Sequence, residues 1–310
     1  MSVTLRQLQY FQALAEHRHF GRAAEAVHIS QPALSVQIRE LEATLGGALV
    51  ERQAREVRLT PFGRRVLDQA MRVLNEVRAL EETARWKGGL SGRLALGVIP
   101  TIAPYLLPGA LAALRARDIH LDVQVQEAKT VRLLEALKSG QLDAAVMALP
   151  VIEDGLVAEP LFEDRFLLAG TQAQLAALGS AETLRPTALR PAQLLLLEDG
   201  HCLTDQALEV CGQGRGHAQI NMGASSLATL TRLVAAGFGL TLMPEMAALA
   251  ERQAAPGMHL MRFTAPEPFR TIGLVRRASS VDDGWFSDLA EVLRRTGSQL
   301  IQTARADQPQ

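Results

Sequence analysis

Two cysteines occur in this chain of 310 residues, and both lie in the stretch LEDGHCLTDQALEVCGQG, as Cys202 and Cys211. A free thiol ionises at about pH 8.5, and only its thiolate is a strong nucleophile. The segment LTDQALEV after Cys202 reads as a helix. That puts Cys202 where unpaired N–H groups and the positive end of the helix dipole favour a thiolate. Such a thiolate attacks a peroxide oxygen to give a sulfenic acid, which a second thiol converts to a disulfide. The plainer reading is that each cysteine is a small buried hydrophobe. His201 is expected to organise the site rather than to take the thiol proton, and Asp205 to favour the positive end of its helix. There is no P-loop, no GxGxxG after a strand, no HExxH and no CxxC, so neither a metal nor a cofactor is expected.

Composition narrows the setting. Hydrophobic residues make up 48% and charged residues 21%, as in an ordinary soluble protein. No run of eighteen apolar residues marks a membrane span, and the N-terminus lacks the basic-then-apolar order of a signal peptide. The expected location is the cytoplasm, where thiols are kept reduced. A permanent disulfide is then disfavoured and a transient one allowed. The net charge of −1 argues against a uniformly basic nucleic-acid binder, but residues 1–65 carry nine Arg against six Glu.

That basic segment has its own pattern. Leu8, Phe11, Leu14 and Ala15 predict a helix over 5–16, and Ala23, Ala24 and Val27 a second, short one. Ser30 is a good N-cap with Pro32 in the first turn. Leu34, Ile38, Leu41 and Leu45 then follow at helical spacing until Gly46. Two helices joined by a tight turn suit a helix-turn-helix, whose second helix enters the major groove. Gln31 could pair bidentately with adenine, and Ser35 can donate or accept. LVERQAREVRLT reads as a hairpin wing that would place Arg52, Arg55 and Arg58 on phosphates or in the minor groove. Thr60-Pro61 opens a long helix with Val66, Ala70, Val73, Val77, Leu80 and Ala84 in heptad register, which predicts a dimerising helix followed by a hinge at Gly88-Gly89.

From Arg93 onward strands alternate with helices. RLALGVI, HLDVQVQEA, AAVMAL, RFLLAG, QLLLLE, QINMG, GLTLMP and TIGLVRR read as strands. The expected fold is an all-α winged helix-turn-helix domain joined to an α/β domain of mostly parallel sheets. A ligand cleft would lie at the C-terminal ends of the strands. The expected divisions are a DNA-binding domain over 1–60, a linker helix over 61–87, a hinge over 88–92 and a regulatory domain over 93–304. The last would comprise two subdomains, about 93–165 plus 271–304, and about 166–270.

The stretch FQALAEHRHFGRAAEAVHISQPALSVQIRELEATLG, followed by a wing, TPFG and a long helix, resembles the N-terminal domain of LysR-type transcriptional regulators. The domain order fits over the whole chain. GVIPTIAPYLLP, QEAKT, LLLLEDGHCLTDQALEVC, LVAAGFGLTLMP and PEPFRTIGLV resemble the peroxide-sensing branch of that family. The resemblance implies two Rossmann-like subdomains arranged like a periplasmic binding protein, and a homotetrameric activator that senses hydrogen peroxide. It gives Cys202 the peroxidatic role and Cys211 the resolving one, with Thr101, Thr130, His201, Asp205 and Arg270 supporting the peroxide site. Arg270 would add a positive charge if the fold brings it near Cys202. The implied partners are double-stranded promoter DNA, hydrogen peroxide, further copies of the chain, RNA polymerase and a thiol reductant such as glutaredoxin or thioredoxin. Two departures stand out. Val36 replaces an Arg common in the family. Gly21 replaces a Ser or Thr cap, which predicts a weakly capped second helix.

If residues 202–211 are one continuous helix, the two cysteine Cα atoms lie roughly 13 Å apart. A disulfide needs less than about 7 Å, so the bond requires the segment to unwind, and that refolding would be the signal. Three other functions compete at this level. One is a regulator that binds a small metabolite in the cleft, with Ser225 and Ser226 offering a helix N-terminus to a carboxylate. Another is a thiol peroxidase, and the third an architectural DNA binder.

Overall fold

The computed structural model describes residues 2–52, 57–85, 90, 92–179, 184–189, 193–212 and 224–307. The chain divides into two compact units, Met1–Ala84 and Arg85–Gln310.

In the first unit, helix α1 spans Leu5–His17 and starts from a capping box between Thr4 and Gln7. Helix α2 spans Phe20–Ala26 and α3 Gln31–Leu45. Ser30 caps α3 and Gly46 ends it at φ 73°, a left-handed conformation that glycine adopts without strain. Strands β1 (Val50–Arg52) and β2 (Val57–Leu59) pair antiparallel as the wing. Phe11, Leu14, Ala23, Ala24, Leu34, Ile38, Leu41 and Leu49 form the core. The second helix is better capped than the glycine suggested. It starts at Phe20, and the ring Nδ1 of His19 accepts from the amides of Gly21 at 3.1 Å and Arg22 at 3.4 Å. A Cβ on residue 21 would meet that ring at 3.1 Å, so the glycine leaves room for the cap.

Helix α4 (Pro61–Arg85) begins where Thr60 Oγ1 accepts from Gly63 N at 2.8 Å. The expected heptad seam is divided. Ala70 packs with Leu74 and Leu8 of its own unit, and Val66 lies against the core. Val73 and Leu80 are exposed, Leu80 by 72%. The side chain of Ala84 and the Gly88-Gly89 hinge lie outside the described residues.

The second unit holds β3 (Arg93–Val98), α5 (Ala103–Arg117), β4 (Asp122–Glu127), α6 (Thr130–Lys138), β5 (Ala144–Leu149) and β6 (Leu156–Gly170). After these come α7 (Gln172–Ala176), α8 (Cys202–Val210), α9 (Leu227–Ala235) and β7 (Thr241–Pro244). The last elements are α10 (Glu245–Ala254), β8 (His259–Met261), β9 (Phe269–Arg277) and α11 (Trp285–Ala306). The strand order is β4-β3-β5-β9-β6-β7, with β8 also on β6.

The sheet corrects the expectation of mostly parallel pairing. Among the described strands, only β3 with β4 and β3 with β5 form parallel ladders. The β5–β9, β6–β9, β6–β7 and β6–β8 ladders are antiparallel. The cause is the long pair β6 and β9, whose register runs from Leu156 opposite Arg277 to Arg165 opposite Phe269. Among the described residues, the predicted strand QLLLLE makes isolated parallel bridges, Leu194 to Leu240 and Leu197 to Ala224. QINMG lies outside the described residues.

Two apolar clusters fill this unit. One gathers β3, β9, α5 and α11 through Leu96, Val98, Leu106, Leu274 and Trp285. The other gathers the end of β6, α8, α9 and β7 through Phe166, Leu168, Leu208, Leu230 and Met243. No described helix is long and apolar enough to cross a membrane.

Candidate functional site

Cys202 is the first residue of α8 and Cys211 the residue that caps its C-terminus. The helix is continuous between them, which sets their Cα atoms roughly 13 Å apart. They also face different surroundings. Cys202 is half-buried and packs on the α5–α11 cluster, whereas Cys211 is 1% exposed within the other. Burial pushes the Cys211 thiol up to about 11. Both thiols are free.

The contrast predicts selective chemistry. At pH 8 about one Cys211 in a thousand is a thiolate, given its pKa of about 11. Iodoacetamide added to reduced, folded protein is expected to label Cys202 first. Labelling of Cys211 should rise about tenfold per pH unit up to pH 11, as read by peptide mass spectrometry. Equal rates at pH 8 would contradict this.

Polar groups converge near the start of α8. Lys129 Nζ, just ahead of α6, donates to Glu198 Oε1 at 2.6 Å and to the Asp199 carbonyl at 2.9 Å. This clamp ties the start of α6, and so Thr130, to the loop that leads into Cys202. Gly200 in that loop sits at φ 91°, with the Lys129 side chain 3.2 Å from where a Cβ would stand. Glycine is therefore needed both for the turn and for the close approach.

His201 is 4% exposed, and its Nε2 lies 3.8 Å from Glu198 Oε1. Burial, then the Lys129 charge, lowers its pKa, with Glu198 opposing. The imidazole is therefore neutral at pH 7. Among the described residues, four buried side-chain polar atoms have no hydrogen-bond partner, and three of them are Thr130 Oγ1, His201 Nε2 and Gln206 Oε1. Leaving one such atom unpaired costs about 1–3 kcal/mol, and native structures keep few of them. His201 precedes Cys202, Gln206 follows one turn later on the same helix face, and Thr130 is held by the Lys129 clamp. Gln206 was missed in the sequence, although its i, i+4 spacing from Cys202 was readable.

Arg270 and Thr101 form a second buried, hydrogen-bonded group. Arg270 Nη1 donates to Thr101 Oγ1 at 2.9 Å, and Nη2 reaches the Thr101 carbonyl at 3.3 Å. Nε and Nη2 donate to Asp164 Oδ2 at 3.0 and 2.9 Å, and both side chains of this ion pair are wholly buried. Asp164 Oδ1 also accepts from Met246 N at 3.0 Å. Burial is the largest influence on Asp164 and pushes its carboxyl up, with Arg270 opposing. The Arg270 charge is thus neutralised by a carboxylate that the sequence did not reveal. It is not a spare cation for Cys202, and its visible work is to orient Thr101. Asp205 stands at the positive end of its helix, as expected. It is exposed in the first turn of α8, outside the buried set.

With this geometry the comparisons can be placed. Residues 5–64 match the bacterial regulatory helix-turn-helix protein, lysR family, and residues 87–298 match the LysR substrate binding domain. The chain belongs to the LysR family. It is 43% identical over 293 residues to the DNA-binding transcriptional dual regulator OxyR of Escherichia coli, covering 94% of this chain and 95% of that protein. A hydrogen peroxide-inducible genes activator of Haemophilus influenzae is 41% identical over 279 residues, 90% of this chain and 92% of its own. Full-length OxyR of Pseudomonas aeruginosa with a cysteine-to-aspartate substitution superposes with a TM-score of 0.72 at 35% identity, over 95% of this chain and 97% of that one. A cysteine-to-serine OxyR mutant of Corynebacterium glutamicum, solved with hydrogen peroxide bound, gives 0.65 at 37% identity, over 99% and 98%. Within the LysR family the chain therefore falls in the OxyR group.

In this LysR-family chain the two apolar clusters of the second unit share a side chain. Tyr105 of α5 packs against both apolar clusters. Its hydroxyl donates to Glu251 Oε1 at 2.6 Å, and Thr231 Oγ1 donates to Oε2 at 2.8 Å. Burial pushes the Tyr105 phenol far above its usual range, so it stays a donor. Tyr105→Phe leaves Glu251 with Thr231 alone and is expected to cost about 1–3 kcal/mol. Urea unfolding measures this, and a loss under about 0.5 kcal/mol would show that the contact is idle.

The lysR-type helix-turn-helix offers an outward face on α3. Gln31 and Pro32 are exposed and Ser35 is half-buried. Ser30 uses its hydroxyl to accept from Ala33 N at 3.4 Å, so its first role is as a cap. Arg58 is exposed on β2. The side chain of Arg52, and Arg55 entirely, lie outside the described residues.

Proposed function

We propose that this chain is a peroxide-responsive transcriptional regulator and not an enzyme. Its sensor is Cys202. The observation that carries the reading is the set of three orphaned polar atoms, on Thr130, His201 and Gln206, around the first residue of α8. A buried site that leaves polar groups unpaired, beside a half-buried thiol, suits a small molecule able both to donate and to accept hydrogen bonds. Hydrogen peroxide is such a molecule. Thr101 can add a proton, since its oxygen already accepts from Arg270. The peroxide bound to the Corynebacterium relative supports the same reading.

The chemistry balances without a metal or cofactor. The Cys202 thiolate attacks one peroxide oxygen, the O–O bond breaks, and the leaving hydroxide takes a proton to become water. Cys211 then attacks the sulfenic sulfur, the S–S bond forms, and a second water leaves. Two thiols are oxidised and one peroxide is reduced to two waters. A dithiol reductant such as glutaredoxin or thioredoxin would reset the pair. The exposed face of α3 and the wing would hold promoter DNA in the cytoplasm. Val73 and Leu80 on α4 would meet a second copy, and further copies would complete a tetramer that contacts RNA polymerase.

The metabolite reading keeps only Ser225 of its two serines, which is exposed ahead of α9. Ser226 caps α9 itself, accepting from Thr229 N at 3.3 Å, so its hydroxyl is engaged.

Thiol mapping tests the proposal. Reduced chain is mixed with one equivalent of hydrogen peroxide for seconds, alkylated and digested. A Cys202–Cys211 disulfide in the native chain, and none in Cys202→Ser, is the expected result. Two thiols that remain free would overturn the sensor reading and leave a LysR-family regulator with another effector.

A further inference from the structure

We propose that Val36 reads the 5-methyl group of a thymine in the major groove, and so sets sequence preference at one base pair of each half-site. The inference rests on the DNA-binding reading above and deepens it. Leu34, Ile38 and Leu41 point into the core and are fully buried. At about 100° per residue, position 36 falls opposite that face, at the centre of the outward side of α3. Val36 is 40% exposed there. Its exposed part takes no share in the core.

The polar side chains around it are committed within the helix. Gln37 Nε2 donates to Glu40 Oε2 at 2.9 Å, Arg39 Nε to the Ser35 carbonyl at 3.2 Å, and Thr44 Oγ1 to the Glu40 carbonyl at 2.8 Å. Pro32 and Ala33, one turn earlier, are exposed as well. The outward centre of α3 is therefore an apolar strip of Pro32, Ala33 and Val36, and Gln31 stands before it as a hydrogen-bonding group.

Charge points to the occupant. Arg22 and Arg39 are exposed on the same unit, as is Arg58 of the wing, which suits a polyanion around an apolar centre. In the major groove a base pair offers one apolar feature, the thymine methyl, and side chains of this size contact it. Cytosine at the same place would present an amino group that valine cannot pair.

The experiment uses the full chain. Double-stranded DNA that binds tightly is enriched from a random pool, and each thymine of the enriched site is replaced in turn by deoxyuridine, which removes only the methyl. One thymine per half-site is expected to weaken native binding about fourfold when its methyl is lost. Val36→Ala should bind the thymine and deoxyuridine probes alike at that position, with an unchanged melting temperature because the residue is exposed. If no replacement affects the native chain, or if the methyl preference persists in Val36→Ala, the inference fails while DNA binding stands. If no sequence is enriched at all, the DNA-binding reading fails and takes the inference with it.

Discussion

Peroxide is expected to unwind α8. The two Cα atoms must move from roughly 13 Å to within about 7 Å before the sulfurs can bond, and a helix from Cys202 to Val210 has no slack for that. Bonds such as Cys211 N to Ala207 O, now 3.1 Å, have to break. Cys211 must leave its core, and Leu203 and Leu208 are placed to leave with it. Exposing two leucines costs about 3–6 kcal/mol, and a disulfide loop this short offsets at most about 3 kcal/mol. The oxidised form is therefore strained and readily reduced, as a resettable sensor requires. Hydrogen exchange followed by mass spectrometry should show protection of the 203–211 amides falling on oxidation in the native chain and persisting in Cys211→Ser. Equal protection with and without peroxide would sink the switch.

Arg270→Ala is expected to be the most damaging single change outside the cysteines. It leaves the wholly buried Asp164 carboxylate without its cation, at a cost of about 3–5 kcal/mol. Thr101 loses the guanidinium that orients it, so sulfenic acid formation should slow as well. The carboxyl, already pushed up from 3.8 by burial, then holds its proton still more tightly in the folded state. Folded protein consequently binds more protons than unfolded, and the variant should gain stability as pH falls from 7 toward 4. Removing both partners, Asp164→Ala with Arg270→Ala, should recover much of the loss, because no buried charge remains. Denaturant unfolding of the four proteins gives the coupling. Simple additivity would mean that the pair is not a unit.

These outcomes mark where local information ends. The sequence by itself determined the first unit almost completely. Ser30, Pro32, the Leu34–Ile38–Leu41 spacing and Gly46 specify α3 within its own turns, and Thr60 starts α4 through a partner three residues away. Much of the alternation of strands and helices beyond Arg93 was legible too, as was the place of Cys202 at a helix start, though β8 was not foreseen and QLLLLE is no ladder strand among the described residues. Caps and i, i+4 contacts act within one or two turns, so residue types at fixed spacing encode them. Even there the local rules had a gap. His19 caps α2 through its ring, a use that the usual list of cap residues omits.

Only the tertiary structure decided the direction of the sheet and the electrostatics of the site. Strand polarity follows from how β6 and β9 cross the unit, and apolar runs do not carry it. The Arg270 charge is neutralised by Asp164, 106 residues away, and Lys129 finds Glu198 69 residues away. Asp205 and Gln206 are adjacent in the chain, yet the first is exposed and the second has its side-chain oxygen buried. Burial sets the cost of an unpaired charge or an orphaned oxygen. Burial is a property of the packed chain, so no local pattern could have assigned those roles.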